Sequence, residues 1–129
     1  MDYSSEVLRR FDSPATAGET DGADADAGLV AGEAEDRSLN VWVRFQVQLR
    51  DGAIRDVRFR AFGCPHTIAA ADWAAERLHG RPAAALRQID VPRIRRELEI
   101  PTEKLGKLLR IEDALAACAD RIGVPAPED

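Results

Sequence analysis

A strict alternation of apolar and polar side chains marks the middle of the chain. Between residues 41 and 49, valine, phenylalanine or leucine stands at every odd position, and tryptophan, arginine or glutamine at every even one. A period of two is typical of a strand with one buried face. A second alternating run covers residues 54–62, and the turn residues Arg50-Asp51-Gly52 precede it. The pattern predicts an antiparallel hairpin. Its expected core side chains include Val43, Phe45, Val57 and Phe59.

Helical spacing dominates the chain after the hairpin. Apolar residues recur at intervals of three and four from Ile68 to Leu78, and Gly80 ends this segment. Because no helix separates the two strands, they are expected to pair antiparallel with helices on one side. We therefore predict an α+β fold, in which a small antiparallel three-stranded sheet has helices packed on one face. Further helical segments are predicted over residues 4–11, 82–86, 92–99 and 102–122.

An acidic segment precedes the hairpin. Between Gly18 and Asp36 the chain has seven acidic residues and no basic one, together with glycines and alanines. This composition is typical of a loop, and we predict a mobile acidic loop over about residues 18–37. A short apolar piece inside it, Gly28-Leu29-Val30, is the candidate for the third strand. Residues 123–129 carry two prolines and two acidic residues, and we expect this tail to fray.

Composition narrows the functional class. The 129 residues are enough for a single domain, spanning 1–129, with its own core. The net charge of −5 argues against a general binder of nucleic acid or anionic membranes, and no apolar run is long enough to span a membrane. The amino terminus lacks the pattern of a secretory signal, and two cysteines are too few for a disulfide framework, so we expect a cytoplasmic protein. We expect no enzyme activity, because the chain lacks a glycine-rich phosphate loop, a Ser/His/Asp set and a paired-cysteine zinc motif.

Cys64 is the residue with the most informative position. It follows the second strand, and Pro65 stands at an expected first helical position, so the thiol is predicted to lie at a helix amino terminus. There the helix dipole and the free amide groups stabilise a thiolate. The alternative is a small residue that suits a tight junction. His66 is either a second metal ligand or a base for Cys64, or a solvated residue of the first turn.

Other candidate residues are carboxylates and a second thiol. Glu33, Glu35 and Asp36 either offer oxygen ligands to iron or zinc or belong to a solvated acidic loop. Cys118 lies on the apolar stripe of the last predicted helix, and we expect it in the core. The tentative metal-binding set is Cys64, His66, Glu35 and Asp36.

Four motifs, taken in order, resemble a known family. They are Tyr3-Ser4-Ser5-Glu6-Val7-Leu8, Arg58-Phe59-Arg60-Ala61-Phe62-Gly63-Cys64, Glu97-Leu98-Glu99-Ile100-Pro101 and Glu112-Asp113-Ala114-Leu115. In this order and spacing they resemble the iron–sulfur cluster assembly scaffolds of the IscU type, a domain also found at the amino terminus of NifU. The resemblance covers about residues 3–122. It implies a small antiparallel sheet covered by helices, and a nascent cluster held on three cysteines.

The ligands that this resemblance implies are mostly replaced. Cys64 matches the second of the three family cysteines, whereas the third and the histidine before it fall on Lys107 and Gly106. The first is expected near residues 33–37, where no thiol stands. Lys107 is either an ion-pair partner of a nearby carboxylate or of the Cys64 thiolate, or an exposed helix lysine. Because three or four thiolates normally hold a cluster, we expect an iron–sulfur cluster, iron or zinc to bind the monomer weakly or not at all.

The resemblance implies a scaffold-like protein of iron–sulfur cluster biogenesis that retains one cysteine, Cys64, at a degenerate site. Two alternatives stay open: a single-cysteine sulfur acceptor for a cysteine desulfurase, and a non-catalytic adaptor that binds the assembly machinery. The expected partner is a cysteine desulfurase or another cluster-assembly protein, and a second copy of the chain is a further candidate.

Overall fold

The computed structural model describes residues 3–18 and 28–126. Helix α1 precedes three strands, and three further helices follow them, with short 3-10 turns at Ala83–Arg87 and Thr102–Lys104. The helices are α1 (Ser5–Asp12), α2 (Pro65–Leu78), α3 (Val91–Glu97) and α4 (Leu105–Ile122). The strands are β1 (Leu29–Asp36), β2 (Val41–Arg50) and β3 (Ala53–Phe62). Within the described residues, no helix is long and apolar enough to cross a membrane.

The three strands form one antiparallel sheet in the order β1-β2-β3. Phe45 of β2 pairs with Phe59 of β3, and their rings lie 6.4 Å apart. Val43, Phe45 and Val57 are fully buried and Phe59 is 3% exposed. The predicted hairpin, its core and the three-stranded α+β fold are therefore confirmed.

Strand β1 corrects the prediction of a loop over residues 18–37. Residues 29–36 pair along their whole length with β2, so the third strand is longer than the apolar piece at its start. The inner face of this strand carries no large apolar residue at position 32, because a Cβ on Gly32 would lie 2.5 Å from the carbonyl oxygen of Ala114 in α4. Small residues on the inner face let the helix approach, while Glu33 and Glu35 stay exposed on the outer face. Residues 19–27 of the predicted loop lie outside the described residues.

The helices share the inner face of the sheet. Helix α4 packs against β1 and β2, and α2 packs against β3. Cys118 is fully buried in α4 with its Sγ 3.7 Å from the carbonyl oxygen of Phe45, which confirms its place in the core. Gly123 ends α4 at a φ of +93°. In the segment predicted as a tail, the carbonyl of Val124 accepts hydrogen bonds of 2.8 and 3.1 Å from Arg87; residues 127–129 lie outside the described part of the chain.

Helix α1 is attached to α2 through a buried ion pair. Arg10 donates hydrogen bonds of 2.7 Å to both Asp72 and Glu76. Asp72 also accepts from the backbone N–H and the hydroxyl of Thr16, at 2.9 and 2.7 Å. Two charges in the interior need this number of partners to offset their loss of water. The ion pair therefore holds the amino-terminal segment against the helix that begins at Cys64.

Candidate functional site

The candidate site lies where β3 ends and α2 begins. Cys64 is the N-cap residue of α2, Pro65 occupies the first turn, and the Cys64 carbonyl accepts from the backbone N–H groups of Thr67 and Ile68 at 3.0 and 3.3 Å. Gly63 fits the tight junction, since a Cβ there would approach the Thr67 side chain to 3.2 Å. The thiol is half-buried at the start of the helix. The predicted placement of Cys64 is confirmed.

The surroundings of Cys64 favour its thiolate. Its Sγ lies 3.8 Å from the hydroxyl of Thr67 and 4.0 Å from Nδ1 of His66. Partial burial alone would raise the pKa of the thiol, but hydrogen bonds from the backbone and hydroxyl of Thr67, the backbone of His66 and the charge of Lys107 together lower it. Unpaired amide groups at a helix amino terminus act on a thiolate in this way.

His66 is a buried residue of the site rather than a solvated one. Its side chain is fully buried, and its ring centroid lies 4.7 Å from that of Tyr3. Burial and the charges of Lys104 and Lys107 lower the pKa of this imidazole, so the ring is neutral at pH 7. Its Nδ1 faces Cys64, while its Nε2 has no hydrogen-bond partner among the described residues.

The positive charge of the site comes from lysine. The chain contains two lysines, Lys104 and Lys107, at the start of α4, and both act on the pKa of His66. Lys107 is half-buried, and it forms no ion pair with a carboxylate of the described residues. Its positive charge instead helps to lower the pKa of Cys64, which lies at the start of α2. Gly106 beside it lies under Leu39 of the β1–β2 turn, 3.3 Å from where its Cβ would stand.

The acidic candidates each have a partner of their own in or beside β1. Asp36 accepts hydrogen bonds from the hydroxyl of Ser38 at 2.6 Å and the backbone of Leu39 at 3.2 Å, so it closes the β1–β2 turn. Glu35 is exposed and pairs with Arg37 at 3.9 Å, and Glu33 accepts from Trp42 Nε1 at 2.9 Å. Across residues 3–18 and 28–126, no three His, Cys, Asp or Glu side chains are close enough to hold a metal ion. The described residues therefore do not assemble Cys64, His66, Glu35 and Asp36 into one cluster, and of these four only Cys64 and His66 are in contact.

Two residues of this site were missed by sequence reasoning. Thr67 supplies a hydroxyl and a backbone amide to the thiol. Its position three residues after a predicted N-cap cysteine could have indicated this contact. Tyr3 covers His66, a contact across 63 positions of sequence that no local pattern reveals. The site therefore joins the amino terminus, the β3–α2 junction and the start of α4.

Comparison with known proteins decides the family. Residues 2–122 match the family described as "NifU-like N terminal domain". The chain belongs to this family. This NifU-like domain is 30% identical over 118 residues to the iron–sulfur cluster assembly scaffold protein IscU of Azotobacter vinelandii, with 91% of both chains covered. It is also 30% identical over 122 residues to IscU of Escherichia coli K12, covering 93% of this chain and 94% of that one.

Solved structures agree on the fold of the NifU-like domain. The amino-terminal part of a NifU-like protein from Brucella abortus has a TM-score of 0.70 at 17% identity, with 95% of this chain and 94% of that one covered. A scaffold-type protein for the SUF system from Fervidobacterium islandicum has a TM-score of 0.68 at 16% identity, with 90% and 96% covered. The predicted resemblance to IscU-type scaffolds is thus confirmed, and it extends over almost the whole chain.

Proposed function

We propose that this chain acts in iron–sulfur cluster biogenesis as a scaffold-like protein, and that its site accepts sulfur on Cys64. The observation that carries the proposal is the half-buried thiol at the amino terminus of α2, in contact with Thr67 and close to the charge of Lys107. Membership of the NifU-like family and the scaffold names of its relatives support the process. Cys118, by contrast, is fully buried, so Cys64 is the thiol that a partner reaches.

The proposed step is a sulfur transfer between two cysteines. The Cys64 thiolate attacks the outer sulfur of a persulfide carried by a cysteine desulfurase. A new sulfur–sulfur bond forms on Cys64, the enzyme's own sulfur–sulfur bond breaks, and the enzyme cysteine leaves as a thiolate. No external oxidant is needed, since the sulfur already has the oxidation level of a persulfide. A low thiol pKa favours the attack, because the thiolate is the nucleophile in thiol exchange.

The residues around Cys64 have separate parts in this proposal. Lys107 and the amides of the first turn stabilise the anion before and after transfer. His66 is buried and neutral, so it adds no second positive charge, and its Nδ1 lies close to the sulfur. The reaction itself belongs to the desulfurase, and this chain is the acceptor rather than an enzyme. A cytoplasmic setting is part of the proposal, because both cysteines are unpaired, as a reducing compartment leaves them.

Persulfide mapping tests the proposal. The full chain is incubated with a cysteine desulfurase and free cysteine, alkylated, and digested for peptide mass measurement. We expect the added sulfur on the Cys64 peptide, an equal amount in Cys118→Ser, and none in Cys64→Ser. Sulfur on Cys118 in the folded protein, or none on either cysteine while the desulfurase turns over, would refute the acceptor role and favour an adaptor.

A further inference from the structure

A cavity lies away from Cys64, towards the other end of α2. It has a volume of about 190 Å³ and lies between α2, the 3-10 turn that follows it, and the start of α3. Trp73 of α2 forms one wall with a side chain that is 4% exposed. Trp73 is nine residues after Cys64, which places the cavity roughly 13 Å further along the helix axis. The cavity is therefore separate from the thiol site.

Arginine side chains dominate the lining of this cavity. The described lining includes three arginines, Arg77, Arg81 and Arg93, and a single acidic residue, Asp90. The guanidinium carbon of Arg77 lies 4.0 Å from the centroid of the Trp73 ring, and that of Arg93 lies 5.7 Å from the same ring. Two cations thus share one aromatic ring, an arrangement in which an anion placed between them relieves their repulsion.

The positive charge of the cavity is only partly neutralised by neighbouring carboxylates. Arg77 and Arg81 form no ion pair with a carboxylate of the described residues. Arg93 lies 3.5 Å from Glu97, and the Asp90 carboxylate accepts from the Arg93 backbone N–H at 3.2 Å. The lining therefore has three guanidinium groups and one carboxylate, and one of the three, that of Arg93, is already paired with Glu97 outside the lining. A concave site lined by one sign of charge concentrates ions of the opposite sign.

Backbone contacts hold the lining in place. The Arg81 carbonyl accepts a 2.7 Å hydrogen bond from Ile54 of β3, and the Arg81 backbone N–H donates to the Leu78 carbonyl at 3.1 Å. Arg77 is braced by its stack on Trp73, and Trp73 itself is buried in the core. Arg77, Arg81 and Arg93 are themselves exposed, and they extend from hydrogen-bonded backbone on α2, on the turn that follows it and on α3.

We propose that this cavity binds a phosphate-bearing small anion between Arg77, Arg81 and Arg93, with Trp73 as its wall. Guanidinium groups bind phosphate through paired hydrogen bonds, and several of them match a group with more than one charged oxygen better than a single carboxylate. The volume accommodates an anion of the size of phosphate or pyrophosphate with water around it. This inference goes beyond sulfur transfer and does not depend on Cys64.

Trp73 makes the proposal directly measurable. Trp42 and Trp73 are the two tryptophans of the chain, so Trp42→Phe leaves emission from Trp73 alone. In this background at low ionic strength, inorganic pyrophosphate and then inorganic phosphate are titrated while the emission is recorded, with calorimetry as a second readout. We expect a saturable change with a pyrophosphate Kd on the order of 1 mM or lower. Charge-assisted hydrogen bonds carry the binding, so Arg77→Gln with Arg81→Gln should weaken it roughly tenfold or more.

The matched control removes the same charge elsewhere. Arg50 and Arg55 are exposed at the hairpin and lie outside the cavity, so Arg50→Gln with Arg55→Gln should leave the affinity unchanged apart from general screening. If the cavity double variant unfolds, Arg81→Gln alone serves, since it keeps the stack of Arg77 on Trp73. Equal weakening in the hairpin variant, or the absence of a saturable signal, would overturn the proposal. Tighter binding of an octaglutamate peptide than of pyrophosphate, lost in the same variant, would overturn it in favour of an acidic protein partner.

Discussion

At the scale of single residues, the two cysteines have opposite environments. Cys64 stands at a helix amino terminus, where amide groups and Lys107 outweigh partial burial and lower its pKa. Cys118 lies in the core between α4 and β2, where burial raises the pKa of its thiol to about 12. The same functional group is thus made nucleophilic in one place and inert in the other by position alone.

The charge of Lys107 can be tested through the reactivity of Cys64. In Lys107→Gln the positive charge near the thiolate is lost, so the pKa of Cys64 should rise and its labelling by limiting iodoacetamide should shift to higher pH. Arg55→Gln, which removes an exposed charge at the far end of β3, is the matched control. Peptide mass spectrometry across a pH series gives both profiles. Superimposable profiles for the two variants would mean that Lys107 does not act on the thiol.

Cys118 should make the fold sensitive to alkaline pH. In the unfolded chain its thiol ionises near its ordinary pKa of 9.0, whereas in the folded protein it holds its proton to about pH 12. The unfolded state therefore loses the proton first, and stability falls as pH rises above about 9, by at most about 1.4 kcal/mol per pH unit. Urea unfolding of the wild type and Cys118→Ala between pH 8 and 11 should show a shallower decline in the variant. Parallel curves would contradict this effect.

At the scale of elements, the hairpin and the helices were predictable from the sequence, and β1 was not. Residues 41–47 of β2 and 57–60 of β3 alternate between buried and less buried side chains, because only one face of the hairpin is covered by helices. Strand β1 carries glycine and alanine on its buried face, and such small residues give no hydrophobic alternation. Its acidic residues on the other face then dominate the composition, which is why the segment was predicted as a loop. Small residues are required here because α4 packs closely on β1, and that contact is visible only in the folded structure.

The contact between β1 and α4 gives a prediction at this scale. In Gly32→Ala the added methyl would stand 2.5 Å from the Ala114 carbonyl and 2.7 Å from the Cys118 amide, both of which are helix backbone. The helix must shift, at a cost of about 1–3 kcal/mol or more in the free energy of unfolding. Gly106→Ala is the matched control, because its methyl would meet only the end of the Leu39 side chain, which can move. Equal stabilities by urea unfolding would show that the two elements pack more loosely.

Some features of the site depend on residues that are adjacent in the chain, and others depend on residues that are far apart in it. The position of Cys64 came from a strand, a glycine and a proline that are adjacent in the chain. The burial of His66 depends on Tyr3, and the charge beside Cys64 depends on Lys107, both far away in sequence. The carboxylates of Glu35 and Asp36 were predicted as possible oxygen ligands of iron or zinc, but each has a partner close to it in the chain, Arg37 for Glu35 and Ser38 for Asp36. Local sequence predicted the position of Cys64, and the family resemblance offered Lys107 as a partner of its thiolate, but neither indicated that Tyr3 covers His66.

At the scale of the whole molecule, the fold matches scaffold structures while the described site provides one thiol. The family match spans residues 2–122, and similar structures cover 90% of the chain or more. The long elements of the fold therefore persist although Lys107 and Gly106 stand where the resemblance places ligands. A fold depends on many distributed contacts, whereas a ligand set depends on a few side chains, so the second changes more readily than the first.

The ability of one chain to retain a cluster is the corresponding whole-molecule prediction. Anaerobic reconstitution with iron, sulfide and a cysteine desulfurase should leave less than one two-iron cluster per chain after chelator treatment and gel filtration, because three thiolates are normally needed and Cys64 supplies one. Absorbance, metal analysis and light scattering follow the outcome, with Cys64→Ser as the control. Iron that elutes with a dimer and is absent from Cys64→Ser would agree with the prediction for the single chain, since two copies then contribute their thiols to one cluster. Stoichiometric, chelator-resistant absorbance from a monomer would contradict the prediction and require oxygen or nitrogen ligands beside Cys64 and His66.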